Sequence, residues 1–123
     1  MSDEFKILAQ AFPEDTDEAD FYRVPIPDSA RDDKTQTLVT SLTVCSHGGV
    51  GEDSSFRLRL KQEITGFVIP DDDKQWLFFD AEILAGEERT LSLGLALPGD
   101  ALLKIRSEHA DRLSFNLVGI EVT

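Results

Sequence analysis

The stretch FRLRLK at residues 56–61 alternates apolar and cationic side chains along the chain. Neighbouring side chains of an extended strand point to opposite faces, so this period of two predicts a strand with one buried and one solvated face. The same alternation returns in LSLGLAL at residues 91–97, LKIR at 103–106 and LSFNL at 113–117. Four separate segments therefore predict the same kind of element.

Weaker strands are predicted in five further segments, the last three of them rich in β-branched or aromatic residues. They are residues 5–12, 21–24, 37–45, 67–69 and 75–83. Turn-forming Gly, Pro and Asp residues separate the segments, and no window carries a helical apolar stripe across three turns. The pattern predicts an all-β chain of eight or nine strands, with at most one helical turn at 71–74.

Two antiparallel sheets packed face to face would bury the alternate apolar side chains of these strands. The predicted fold is an antiparallel β-sandwich of jelly-roll or other Greek-key type, in a single domain that spans residues 1–123. Eight strands of about six residues, with their loops, account for a chain of this length. The predicted core is Leu38 or Val39, with Leu42, Val44, Phe56, Leu58, Leu60, Leu93, Leu95, Ile105, Phe115 and Leu117.

The charge of the chain limits its partners. It has 24 acidic residues against 12 Lys and Arg, a formal net charge of −12. Such a charge opposes broad contact with nucleic-acid phosphates or anionic lipid headgroups, so neither nucleic acid nor membrane is a predicted partner. The first 33 residues hold ten acids against three cations. They are predicted to be an extended acidic segment, which either meets a basic partner or is a solvated loop.

Candidate catalytic groups are few, and none is predicted to act. The sequence has no GxSxG, HExxH or CxxC motif, and GGVG at 48–51 lacks the Lys-Ser/Thr of a phosphate loop. Cys45 and His47 share a strand face without a third orienting group, and Cys45 is predicted to be a small core residue. Asp80 and Glu82 have a spacing that suits the paired carboxylates of a glycosidase, but two solvated side chains are expected.

No cofactor and no metal site is predicted. One cysteine and two histidines cannot fill a four-ligand zinc site without carboxylate help. The adjacent Asp71, Asp72 and Asp73 lack the spacing of a calcium loop, so an exposed turn is expected there. His109 is interpreted as a surface residue.

The last segment changes the face on which its apolar residues lie near Gly119. A β-bulge at Gly119 would explain the change, because one extra residue turns the following side chains to the opposite face. A terminal strand with apolar residues on both faces is either central in a sheet or meets another copy of the protein. The residues predicted to form an oligomer or partner interface are Phe5, Ile7, Leu8, Ile120 and Val122.

Several motifs stand in a fixed order along nearly the whole chain. They are FYRVP at 21–25, SLTVCSHGG at 41–49, FRL at 56–58, FD at 79–80, TLSLGLAL at 90–97, Asp100 and LSFNLVGIE at 113–121. In this order and spacing the chain resembles a family of small β-sandwich structural proteins of tailed-bacteriophage virions. The resemblance implies a non-enzymatic protein that coats or decorates the particle.

That resemblance also implies partners and a location. The expected state is a homo-oligomer, with a trimer favoured, bound to the major capsid protein or to tail proteins. The expected location is the virion, after synthesis in the cytoplasm of a host bacterium. Decoration of the head surface, as a cement protein, is favoured over a role in the tail or fibre.

Two other classes of function remain open at this stage. One is a carbohydrate-binding β-sandwich module, in which Trp76, Tyr22 and the Asp-rich turn would form a calcium-assisted sugar site. The other is an acidic inhibitor that neutralises a basic enzyme through residues 1–33, since negative charge speeds association with a positive cleft.

Overall fold

A computed structural model of the chain describes residues 5–24, 36–62, 75–98 and 101–122. Within these ranges lie eight β-strands and no α-helix. The strands are β1 (Lys6–Ala11), β2 (Ala19–Arg23), β3 (Gln36–Ser46), β4 (Ser54–Gln62), β5 (Trp76–Ile83), β6 (Glu88–Pro98), β7 (Ala101–Ser107) and β8 (Leu113–Val122). The predicted strand at 67–69 and helical turn at 71–74 lie outside the described residues.

The strands form two four-stranded antiparallel sheets. Sheet A has the order β1-β8-β3-β6 and sheet B the order β2-β7-β4-β5. Every connection except that from β4 to β5 passes from one sheet to the other, which is the wrapped topology of a jelly roll. The predicted all-β sandwich is therefore confirmed, and its four clearest alternating segments are parts of β4, β6, β7 and β8.

The core lies between the two sheets and consists of the inward rows of their strands. Most of the predicted core is confirmed, and at the undecided position of β3 the buried residue is Val39. Val39 is fully buried, whereas Leu38 is 40% exposed on the outer face. Three predicted core residues are only half-buried at the margin of the core: Leu60, Leu93 and Leu95.

The predicted bulge at Gly119 is wrong in its position. Strand β8 keeps its register, while each of its neighbours carries one extra residue opposite Val118: Leu8 in β1 and Thr40 in β3. The Thr40 hydroxyl donates to the Val118 carbonyl at 3.0 Å. The apolar phase of β8 changes because Val118 and Ile120 stand on its outer face. Since β8 lies between β1 and β3, the terminal strand is central in its sheet.

Gly119 passes between the two bulges where no side chain fits. A Cβ atom there would overlap the carbonyl oxygen of Leu38 and lie 2.9 Å from Cδ1 of Leu8. Because the first obstacle is backbone, we expect Gly119→Ala to lower the free energy of unfolding by about 2–3 kcal/mol in urea titrations. Gly94→Ala is the control, since its Cβ meets open space and only the positive φ of 58° opposes it. That control should lose about 1–2 kcal/mol, and a larger loss for Gly94→Ala than for Gly119→Ala would contradict the packing described here.

Candidate functional site

The outer face of sheet A carries an apolar strip that crosses all four strands. Ile7 on β1 is directly opposite Val118 on β8, and Leu38 on β3 is opposite Ile120 on one side and Ala96 on the other. Ile7 is 58% exposed and Leu38 is 40% exposed. Contiguous apolar surface on a strongly charged protein is typical of a contact surface. These five residues are called the apolar strip below.

The structure divides the five residues predicted to form an interface. Ile7 and Ile120 belong to the apolar strip, and Phe5 is exposed immediately before β1. Leu8, the extra residue of the β1 bulge, instead packs against the core. Val122 pairs through its backbone with Gln36, and its side chain lies outside the described part of the chain.

The remaining outer face of sheet A is mainly polar, although the Phe12 ring, 45% exposed, packs against the His47 ring there with centroids 5.2 Å apart. Cys45 lies here and is half-buried, because Val44 and Ser46 take the inward positions on either side, so its prediction as a core residue is wrong. Nε2 of His47 bonds Ser114 rather than the Cys45 thiol. Three cross-strand hydrogen bonds join side chains on this part of the face: Gln10 to Asn116 at 2.6 Å, Thr43 with Thr90 at 3.1 Å and His47 with Ser114 at 3.0 Å.

The outer face of sheet B concentrates positive charge on β4 and β7. Arg57 stands directly opposite Arg106, and Arg59 directly opposite Lys104. Like charges in directly opposite positions destabilise a sheet, so this face needs counter-charges. With Lys61, these residues place five of the 12 Lys and Arg side chains of the chain on this face of the described strands.

Part of the acidic N-terminal segment supplies those counter-charges. Glu18 forms ion pairs with Arg59 and, at 3.7 Å, with Lys104. Asp20 on β2 lies 3.7 Å from the same lysine. These two acids therefore stabilise the outer face of sheet B within the molecule, while Glu14, Asp15 and Asp17 are exposed.

A bulge in β5 turns Asp80 towards Arg57. The register pairs Phe56 with Ala81 and Leu58 with Phe78, which leaves one extra residue in β5. Asp80 has a φ of 54°, a left-handed conformation that is uncommon outside glycine and is often found at functional sites. Nε and Nη2 of Arg57 donate to the two carboxylate oxygens at 2.7 and 3.2 Å.

Aromatic rings hold the arginines of this face in place. The Arg57 guanidinium lies 3.9 Å from the centroid of the Phe79 ring, and Phe79 packs edge-to-face with Trp76 at 5.3 Å. The Arg59 guanidinium lies 5.1 Å from the centroid of Trp76. Cation–π contact with a second, ionic partner fixes a guanidinium more firmly than either interaction alone.

A groove of about 330 Å³ opens beside the Arg57–Asp80 pair. Ser55 and Glu108 belong to its lining, and the Ser55 hydroxyl donates to Glu108 Oε2 at 2.7 Å. Nε of Arg106 donates to the Thr16 carbonyl at 2.9 Å. The residues that line this polar groove are Ser55, Phe56, Arg57, Asp80, Arg106 and Glu108.

The chemistry of Asp80 does not suit a glycosidase acid. Its hydrogen bond from Arg57 is the main cause of a pKa below the ordinary value, and the charges of Arg57 and Arg106 lower that pKa further. A carboxylate with a lowered pKa stays ionised at neutral pH, whereas the acid of a glycosidase must hold a proton. Glu82, its predicted companion, is opposite Ser55 on β4 and is exposed.

The sugar site predicted from Tyr22 and Trp76 is wrong. Tyr22 lies on β2 and Trp76 on β5, at opposite edges of sheet B, roughly 14 Å apart across three strand spacings. Tyr22 is 9% exposed and belongs to the core. The Asp-rich turn at 71–73 lies outside the described residues.

Tyr22 instead closes a polar cluster between the sheets. Its hydroxyl donates to Glu121 Oε2 at 2.9 Å and shares a hydrogen bond of 2.9 Å with Thr37. Lys6 forms an ion pair with the same Glu121 carboxylate. Burial, assisted by the nearby Glu121 charge, raises the pKa of Tyr22 to about 12, and the hydrogen bond from Lys6 is the main cause of a lowered pKa at Glu121.

The Tyr22 cluster makes an optical prediction, because the chain has one tyrosine and one tryptophan. Because its pKa is raised, Tyr22 in its neutral form contributes to the stability of the folded state. That contribution is complete below pH 10, the pKa of an unperturbed tyrosine, and is lost as the pH rises through about 12. We expect the near-ultraviolet phenolate absorbance to reach its midpoint near pH 12, and at a lower pH in Glu121→Gln, which removes the Glu121 charge but leaves the burial of Tyr22. A wild-type midpoint of 10, with the Trp76 emission still that of the folded protein, would disprove the arrangement.

Metal ligands do not converge in the described part of the chain. No group of three or more His, Cys, Asp or Glu side chains there could hold a metal ion. His109, predicted to be a surface residue, is half-buried, and its Nδ1 lies 3.1 Å from the Ser54 hydroxyl. None of the described residues belongs to a helix long and apolar enough to cross a membrane.

Comparisons with known proteins find no match for this chain among family models, curated proteins or solved structures. The two outer faces of the sandwich, one with the apolar strip and one with the charged groove, are the candidate functional surfaces.

The groove was missed by sequence reasoning because its members come from distant parts of the chain. In the sequence, Arg57 and Arg106 are visible as the cationic positions of two strongly alternating segments, and Asp80 as one of two spaced carboxylates. The register that brings them opposite each other depends on which strands pair. Asp80 joins them only through its left-handed conformation.

Proposed function

We propose that this protein is a non-enzymatic structural subunit that assembles with copies of itself through the apolar strip. The observation that carries the proposal is the direct cross-strand alignment of Ile7 with Val118 and of Leu38 with Ile120 on an outer sheet face. An open sheet face with apolar residues on every strand is a flat surface that neighbouring copies can cover.

The charge of the chain supports this use of the strip. Copies of a chain with a formal net charge of −12 repel each other on average. Association is least opposed where side chains are uncharged, and the five residues of the apolar strip carry no charge. The proposed closed assembly is a trimer, in which weak contacts repeated by symmetry give stable attachment to a larger lattice.

The larger lattice in this proposal is the virion of a tailed bacteriophage. Its support is the ordered set of sequence motifs, together with a jelly-roll topology, which also occurs in viral capsid domains. The subunit would bind the major capsid protein as a head decoration or cement protein. Attachment to tail or fibre proteins is the alternative place within the same class.

Mass spectrometry of purified phage particles tests the virion assignment. Particles from bacteria that carry the coding sequence should contain the protein in many copies, and negative-stain microscopy with a specific antibody should label the heads. Labelling of tails would favour the alternative site. Absence of the protein from particles whose capsid protein is readily detected would contradict a virion role.

A further inference from the structure

We propose that the groove on the outer face of sheet B binds a neutral carbohydrate. The groove is separate from the apolar strip, which lies on the other sheet, so this inference goes beyond assembly. The chemistry of the lining supports it. The cavity of about 330 Å³ is lined by two cationic side chains, Arg57 and Arg106, and two anionic ones, Asp80 and Glu108.

The charge balance of the lining selects against ionic ligands. Two guanidinium groups and two carboxylates leave the groove with no net formal charge. An anion would meet Asp80 and Glu108, and a cation would meet the two arginines. A neutral ligand rich in hydroxyl groups avoids both conflicts, because each hydroxyl can donate to a carboxylate and accept from a guanidinium.

The donors and acceptors have capacity left for such a ligand. Arg57 uses Nε and Nη2 for Asp80, and a guanidinium has five N–H donors. Among described residues, Arg106 donates through Nε to the Thr16 carbonyl, which leaves its two terminal nitrogens for other acceptors. Glu108 accepts from Ser55 through Oε2, so its second oxygen is available.

The lining is also held in a fixed arrangement before any ligand binds. Asp80 and the Phe79 ring fix the Arg57 guanidinium from two directions. The left-handed conformation of Asp80 is maintained by the β5 bulge. A site whose groups are ordered in advance loses less entropy on binding, which is how a small polar groove reaches useful affinity. Phe79, 55% exposed, adds an apolar rim next to Arg57.

The test uses the full chain and an array of neutral, sialylated and sulfated glycans. We expect retention of neutral glycans, and quenching or enhancement of the single tryptophan's emission when they are titrated, since Trp76 lies 5.8 Å from the Arg57 guanidinium. Asp80→Asn should weaken binding about tenfold or more, because it removes a charged acceptor and loosens Arg57. Asparagine tolerates positive φ, so the backbone of this variant is preserved.

Matched control variants distinguish the loss of a groove side chain from the accompanying change in the net charge of the protein. Glu88→Gln makes the same charge change as Asp80→Asn at an exposed position on β6, in the other sheet. Arg89→Gln is the equivalent control for Arg106→Gln. The groove variants should lose binding while both β6 variants retain it, and all four should unfold at temperatures close to that of the wild type.

Three results would overturn the proposal. One is an array on which no glycan is retained. Another is retention of sialylated or sulfated glycans alone, which would identify an anion site. The third is equal loss of binding in groove and β6 variants, which would place the ligand elsewhere. None of these results bears on the oligomeric state, so the glycan site and the proposed assembly fail or succeed independently.

Discussion

Phe115→Ala is expected to lower the free energy of unfolding by about 3–5 kcal/mol, a large part of the stability of a typical small domain. Phe115 on β8 is fully buried and is the ring of sheet A that joins two aromatics of sheet B. Its ring centroid lies 6.3 Å from that of Phe21 on β2 and 5.4 Å from that of Phe56 on β4. Phe56 in turn packs on Phe78 at 5.7 Å. Removing this ring leaves a cavity where the two sheets meet.

Urea denaturation followed by circular dichroism measures this loss. Phe5→Ala is the matched control, because the same atoms are removed from a side chain that is 68% exposed. The control should change stability by less than about 0.5 kcal/mol. If Phe115→Ala and Phe5→Ala were equally stable, the face-to-face packing of the two sheets around Phe115 would be wrong.

Ile120→Asp is expected to weaken self-association by a factor of about a hundred or more, because assembly would then bury an unpaired carboxylate. Ile120 is directly opposite Leu38 near the middle of the apolar strip. Its side chain points away from the core, so the fold of each subunit should be retained. Light scattering over a dilution series would show wild-type oligomers and variant monomers at the same concentration.

Ser92→Asp provides the control for added charge. Ser92 is exposed on the same outer face, opposite Ser41, and is not one of the five residues of the apolar strip. This variant should assemble as the wild type does. Equal dissociation of Ile120→Asp and Ser92→Asp would mean that repulsion between copies, and not loss of the strip, controls association.

Much of the fold could be predicted because inward positions along its strands are consistently apolar. The segment at 56–61 shows this most clearly, since Phe56 and Leu58 point inward and Arg57 points outward. A period of two is visible in the sequence without knowledge of the partner strand. The pattern does not show whether Leu38 or Val39 is buried, because both are apolar. Only the register of β3 with β8 determines which of the two side chains points inward.

Bulges limited what could be predicted of the surfaces. The change of apolar phase in β8 is visible in the sequence, but it does not reveal that the extra residues belong to the neighbours, Leu8 and Thr40. The same limit applies to Asp80, whose sequence position indicates an ordinary strand residue. Its pairing with Arg57 depends on a positive φ that a strand pattern does not predict.

The two outer faces suggest a division of roles within one small sandwich. In our proposals, the apolar strip of sheet A joins copies, while the groove of sheet B stays open for a ligand. Glu18, in the loop before β2, and Asp20, on β2, stabilise the outer face of sheet B, because they neutralise cations that would otherwise repel each other. Because the two surfaces lie on different sheets, self-association through sheet A would leave the groove of sheet B accessible to a ligand.

The mass of the wild-type protein in solution tests self-association through the apolar strip most directly. Native mass spectrometry or light scattering at micromolar concentration should give about three times the 13.7 kDa of one chain. A mass of 13.7 kDa that persists as concentration is raised would contradict the proposal that the strip joins copies of this protein.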